Sequence, residues 1–213
     1  MIVFENNIFH AQTTNTSYII RVLDGGYLEH LYYGKKIKLT KNYEALFEKF
    51  ATGYGNSIVT PEDSRLTLDN ICLEYSFAGT GDFRHSPLSL QMPDSSFSNN
   101  FLYESHKIYE GVYEENEKTN MPYARENGHI DKKGIFTLDI TLKDSVYPIY
   151  LHLIYTFFSQ SDVMTRRIKL ENHCNQQIVL TKAMSVMLDI PYNDYDMHTF
   201  DGIWIRERHK NSK

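Results

Sequence analysis

Apolar residues along this chain recur mostly at every second position, the spacing of strands rather than helices. The runs "IFHAQTT", "TSYIIRVL" and "YLEHLYYGKKI" are short, rich in β-branched and aromatic residues, and divided by Asn15 and by Asp24-Gly25-Gly26. Glycines at such a point accept the positive φ of a tight hairpin, so three antiparallel strands are expected at the start. Tyr43, Leu46, Phe47 and Phe50 then fall at i, i+3, i+4 and i+7, which predicts one or two turns of amphipathic helix over 42–50. The segment "ATGYGNSIVTPEDSR" has no period and is full of turn formers, so it reads as a long exposed loop before "LTLDNICLEYSF" resumes extended structure.

Further on, "AGTGDFR" is a glycine turn closed by an acid and a base, while "SPLSLQMP" and "FLYESHKIYEGV" read as strands. The polar, turn-rich stretch 112–134 is expected to cross between sheets. From 135 the strands lengthen. "IFTLDITLKD", "YPIYLHLIYTFF", "VMTRRIKLEN" and "QQIVLTKAMSVMLDI" are joined by "SVYP", "SQSD" and "HCN", the pattern of an antiparallel meander. Within it Ile149, Leu151, Leu153, Tyr155 and Phe157 share one face, yet Tyr150, His152, Ile154 and Thr156 opposite are nearly as apolar. A strand apolar on both faces belongs inside a layered stack. The expectation is an all-β fold, a sandwich of two large, mostly antiparallel sheets with little helix.

Composition narrows the function. The chain has 213 residues, 41% hydrophobic and 14% aromatic, enough to build a substantial core. Its net charge of −5 argues against a nucleic-acid partner, which needs clustered Lys and Arg. No run approaches the roughly 18 apolar residues of a membrane helix. The N-terminus "MIVFENNIFHAQ" lacks the basic and apolar regions of a signal peptide, so no membrane is expected and a cytoplasmic location is. Cys72 and Cys174 lie about a hundred positions apart without metal-ligand spacing, and the nine histidines form no tight pair, so neither a metal nor a cofactor is expected.

The densest chemistry lies in "YNDYDMHTFDGIWIRERH", residues 192–209. Asp189, Asp194, Asp196 and Asp201 crowd one short segment, and paired carboxylates are what glycoside hydrolysis requires. Acids beside Asn, Tyr and Pro also cap turns, so the cluster by itself assigns no catalytic residue. In "WIRERH", alternation would set Trp204, Arg206 and Arg208 on one side of a strand, a stripe suited to gripping a sugar or another domain.

The run "LDIPYNDYDMHTFDGIWIRERH", together with "FHAQTTNTSYIIRVLDGGYLEHLYYGK", "LEYSFAGTGDFRHSP" and "VMTRRIKLENH" in this order, resembles the N-terminal domain of bacterial α-galactosidases of glycoside hydrolase family 36. The resemblance covers the whole chain. It implies that residues 1–213 form an N-terminal β-supersandwich domain, with the catalytic (β/α)₈ barrel and a C-terminal β-domain lying outside this chain. It implies too that Trp204, Arg206 and Arg208 face that barrel, and that the chain alone is inert. The parent would hydrolyse α-galactoside oligosaccharides such as melibiose and raffinose, and would form homo-oligomers. In the family a loop of this domain reaches a neighbouring subunit's pocket with an Asp and an Arg. Here the loop is 48–69, its Arg would be Arg65, and the Asp has no clear counterpart. Two other readings stay open from the residues themselves: a free-standing carbohydrate-binding module, and a small complete hydrolase using the acids of 189–201.

Overall fold

A computed structural model describes residues 1–47, 67–113, 133–189 and 194–212. The first sheet is an antiparallel meander of β1 (Ile2–Glu5), β2 (Ile8–Gln12), β3 (Thr16–Val22) and β4 (Leu28–Lys35), in that spatial order. It has one strand more than the alternation suggested. The hairpin from β1 to β2 turns on Asn6 and Asn7, both at positive φ (52° and 61°), and Glu5 pairs with Ile8 across it. A two-residue loop with both φ values positive matches the right-handed twist of the strands, and Asn tolerates it better than most residues. Asn6-Asn7 was therefore the available sign of β1.

The second sheet joins β6 (Phe101–Glu110), β7 (Ile135–Asp144), β8 (Ile149–Phe158) and β9 (Val163–Asn172), each ten residues long and antiparallel in sequence order. Between the two sheets lies one continuous core. The first sheet contributes Phe9, Ala11, Tyr18 and Ile20; the second contributes Leu138, Ile140, Leu142 and the predicted face Ile149, Leu151, Leu153, Tyr155 and Phe157. Ile154 and Thr156 on the opposite face of β8 are buried as well, as expected for an inner layer. The first sheet is likewise covered on both faces, with Ile8, Ile19 and Leu31 packing against Tyr43 on its outer side.

Two turns fix the sheets to each other. Gly26 (φ +81°) accepts the Tyr103 N–H on its carbonyl at 2.8 Å, and a Cβ there would meet the Leu102 Cβ at 3.1 Å. At the other contact Asp162, in the turn after β8, accepts the Thr13 hydroxyl (2.6 Å), the Asn15 backbone N–H (2.8 Å) and the Asn15 side-chain amide (2.7 Å). The adjacent Ser159 carbonyl accepts both the Thr14 N–H and its hydroxyl.

Three expected elements differ. The helix over 42–50 is a 3₁₀ turn, Glu44–Leu46, within its described part; residues 48–50 lie outside the described residues. The "LTLDNICLEYSF" segment begins with a 3₁₀ turn, Leu68–Asn70, and then meets β4 only through a bridge between Leu73 and Glu29. The last long strand shortens to β10 (Val179–Ala183), which leaves the meander and pairs with β5 (Leu88–Gln91). Much of the stretch expected to link sheets, 114–132, lies outside the described residues.

Candidate functional site

The most concentrated buried chemistry sits between the sheets. Backbone bonds from His30 to Cys72 (2.9 Å) and from Glu74 to Leu28 (3.0 Å) lay residues 72–74 beside β4 and drive the Glu74 side chain into the interior. There its carboxylate accepts the hydroxyls of Tyr18 (β3) and Tyr155 (β8), both at 2.7 Å, and pairs with His30 Nδ1 (β4) at 2.8 Å. Arg166 of β9 closes the ring 3.3 Å away, donates to the Glu74 carbonyl at 2.7 Å, and lies over the Tyr155 ring. Burial alone would push the carboxyl up, but Arg166, His30 and Tyr155 together bring its pKa down to about 2. A carboxylate ionised, neutralised and walled in this way has no proton to give and no free oxygen for a substrate. It clamps the two sheets together.

A second knot holds the glycine turn. Asp82 accepts the Ser76 hydroxyl (2.5 Å) and the Arg84 Nε–H (2.9 Å). Arg84 Nη1 donates to the Ile71 carbonyl (2.6 Å) and to Asp189, and Nη2 donates to the Leu68 carbonyl. Asp189 also accepts the Leu73 N–H at 3.1 Å. "GDFR" therefore brings an acid and a base inward while Phe83 between them stands 88% exposed. The acid cluster of 189–201 is divided by this arrangement. Asp189 holds the Arg84 knot, whereas Asp201 lies on an exposed hairpin and accepts the Asn211 amide.

That hairpin, β11 (His198–Ile203) and β12 (Arg206–Ser212), is solvent-exposed at every residue. Trp204 and Ile205 form its turn, with Trp204 at 84% exposure and Ile205 at φ +72°. Arg206 begins the return strand. The register shifts between Asp201 and Ile203, and Arg208 sits opposite this shift at φ +63°. The stripe of Trp204, Arg206 and Arg208 expected on one strand face is thus broken, because the turn takes up position 204 and the bulge re-aims position 208. All three remain open to solvent. Arg65 lies outside the described residues.

A cavity of about 330 Å³ opens beside the first sheet, lined by Val3, Glu5, Ile8, His10, Leu39, Thr40, Lys41 and Tyr43. His10 is buried there, with its ring nitrogens engaged by the Tyr43 hydroxyl (2.7 Å) and Ser17 Oγ (2.9 Å). Burial, with the Lys36 charge, brings its pKa down to about 4, so it stays neutral and structural. Among the described residues no group of three or more His, Cys, Asp or Glu could hold a metal ion, and no helix is long and apolar enough to cross a membrane.

Compared with known families, residues 26–213 match the Glycosyl hydrolase family 36 N-terminal domain. The chain belongs to this family. Among curated proteins it is 29% identical over 94% of its length to α-galactosidase AgaA of Geobacillus stearothermophilus, covering 26% of that protein. It is 31% identical over 94% of its length to the bifunctional α-galactosidase/sucrose kinase AgaSK of Mediterraneibacter gnavus, covering 21% of it. Among solved structures, the α-galactosidase of Lactobacillus brevis superposes with a TM-score of 0.87 at 27% identity, over 98% of this chain and 28% of that one. A variant of the G. stearothermophilus enzyme solved in complex with raffinose superposes with a TM-score of 0.84 at 28% identity, over 97% and 28% of the two chains. This family 36 N-terminal domain therefore spans about a quarter of the length of the curated relatives it matches first.

Proposed function

We propose that the chain is the non-catalytic N-terminal β-sandwich of an α-galactosidase that removes terminal α-linked galactose from oligosaccharides such as melibiose and raffinose. In this reading it buttresses a catalytic barrel supplied by the rest of the polypeptide and takes part in oligomer assembly. The observation that carries it is the family match over residues 26–213, set beside relatives named α-galactosidases of which the chain covers a quarter. The chemistry of the interior supports it. Of the carboxylates described above, Glu74 is committed to four donors, Asp82 to Ser76 and Arg84, and Asp189 to Arg84 and the Leu73 N–H. None of the three is placed for nucleophilic or general-acid work. In the same reading Trp204, Arg206 and Arg208 lie against the barrel, and Arg65 contacts the sugar of a neighbouring subunit.

The test compares two purified proteins on melibiose, raffinose and p-nitrophenyl α-galactoside. The expected result is galactose release by the product of the uninterrupted reading frame and none by the 213-residue chain. Turnover by the 213-residue chain, or an uninterrupted product with no α-galactosidase activity, overturns the proposal.

A further inference from the structure

A second cavity, of about 200 Å³, opens where the connection from β5 to β6 meets the turn between β7 and β8. Asp94, Ser96, Ser98 and Asn99 line it from the first of these, and Asp144 and Tyr147 from the second. Backbone hydrogen bonds hold both walls. The Met92 N–H donates to the Ser96 carbonyl (2.8 Å), and Ser95, at φ +70°, donates its N–H to the Met92 carbonyl (2.9 Å). Asp144 accepts the N–H groups of Asn100 (3.0 Å), Val146 (3.0 Å) and Tyr147 (2.9 Å), and the Ser145 N–H donates to the Asn100 carbonyl (2.9 Å). The walls are thus tied to each other before any ligand arrives, which lowers the ordering cost of binding.

One buried polar atom of this lining is left over. Asn99 is 2% exposed, its backbone N–H donates to the Ala78 carbonyl (3.0 Å), and its Nδ2 donates to the Leu90 carbonyl (3.1 Å). The Leu90 bond fixes which side-chain atom is nitrogen, so the other is Oδ1, and among the described residues it has no hydrogen-bond partner. Buried acceptors without a donor are costly and rare, so this one calls for a donor in the cavity. The rest of the lining says which donors fit. It holds two carboxylates and no Lys, Arg or His, so a phosphate or other anion would be repelled. A metal ion is poorly served as well. Asp144 already accepts three N–H groups, Asp94 takes the Ser96 N–H (3.0 Å) and the Tyr147 hydroxyl, and among the described residues no group of three or more His, Cys, Asp or Glu could hold one. A neutral molecule with several hydroxyls suits the lining, because each hydroxyl can donate to Asn99 Oδ1 and also exchange hydrogen bonds with a serine. The volume falls below the roughly 300–1,000 Å³ of sites for drug-sized ligands, which leaves room for one sugar ring rather than several.

We propose that this cavity is a non-covalent binding site for a single sugar ring, either a free monosaccharide or the terminal ring of a longer glycan. Asn99 Oδ1 accepts one ring hydroxyl, and the exposed Ser96 and Ser98 side of the lining meets others. Val146 and Tyr147 offer the ring's C–H face an apolar border. The site is built wholly from this chain and stands whether or not the longer protein has the activity proposed above.

Hydrogen exchange of the uninterrupted gene product, read by mass spectrometry, tests it in titrations with galactose, glucose, lactose and, separately, calcium chloride. Peptides covering 92–100 and 144–148 report on the cavity, and peptides of β2 and β3 serve as references because sugars also stabilise proteins in general. Exchange in the cavity peptides is expected to slow several-fold and saturably with at least one sugar, at about millimolar strength, while the references stay unchanged. Protection by galactose or glucose makes a free ring sufficient; protection by lactose alone makes the ligand the end of a longer glycan. Ser98→Leu, at an exposed position of the lining, should abolish the protection and leave the melting temperature near that of the parent. Absence of saturable protection with all three sugars overturns the proposal. So does equal slowing in the references, protection by calcium chloride in place of sugar, or protection that survives Ser98→Leu.

Discussion

At the scale of single residues, the interior of the sandwich depends on an ion pair that is useful only when complete. Glu74 and Arg166 are held by tyrosine hydroxyls, backbone carbonyls and each other, with both side chains almost fully buried. Removing one member strands the other charge, at a cost of about 3–5 kcal/mol. Glu74→Gln and Arg166→Met should each show that loss in urea unfolding, and the double variant should lose clearly less than their sum. Strict additivity would mean the two charges are not coupled. His10 makes a separate prediction about pH. Its folded pKa of about 4 lies below the ordinary 6.5, so protons bind the unfolded chain better. Stability is then full above pH 6.5 and falls as pH drops towards 4, by at most about 3 kcal/mol from this group. Glu74 acts in a lower window, its contribution present above 4.5 and lost towards 2. Thermal melts of a His10→Gln variant should show a flatter slope between pH 6.5 and 4.5 than the parent chain; an unchanged slope would assign the dependence to other groups.

Among elements, the long strands of the second sheet were the most legible in the sequence. Ten residues of alternation bounded by turn formers leave few alternatives, and β7, β8 and β9 fall within the runs that alternate. Shorter elements were decided by contacts that alternation does not encode. β1 rests on the Asn6-Asn7 turn, the residues after 42 tighten to a 3₁₀ turn so that Tyr43 reaches His10, and residues 68–77 are laid out by Arg84 and β4 rather than by their own propensity. The stripe through Trp204, Arg206 and Arg208 departs from the expected alternation because 204–205 form the turn and the register shift opposite Arg208 breaks the two-residue period. Asp162 shows how a turn can join two sheets. Its carboxylate accepts three donors from the β2–β3 connection, so Asp162→Ala should lower the melting temperature and increase hydrogen exchange at Thr14 and Asn15. A variant with parental stability would show that core packing alone aligns the sheets.

For the whole molecule, the described residues divide into a well-packed part and an open part. The two four-stranded sheets enclose one core, while β10 and the β11–β12 hairpin expose most of their side chains. A lone two-stranded hairpin is marginal in water, so in the proposed reading the β11–β12 hairpin gains its stability from the barrel it lies against. Amide hydrogen exchange of the 213-residue chain beside the uninterrupted gene product measures this most directly. β2, β3, β7 and β8 should be protected in both proteins, and β11–β12 should exchange almost freely in the 213-residue chain and become protected in the longer one. Strong protection of β11–β12 in the 213-residue chain alone would contradict it, because the sandwich would then be complete without a neighbour.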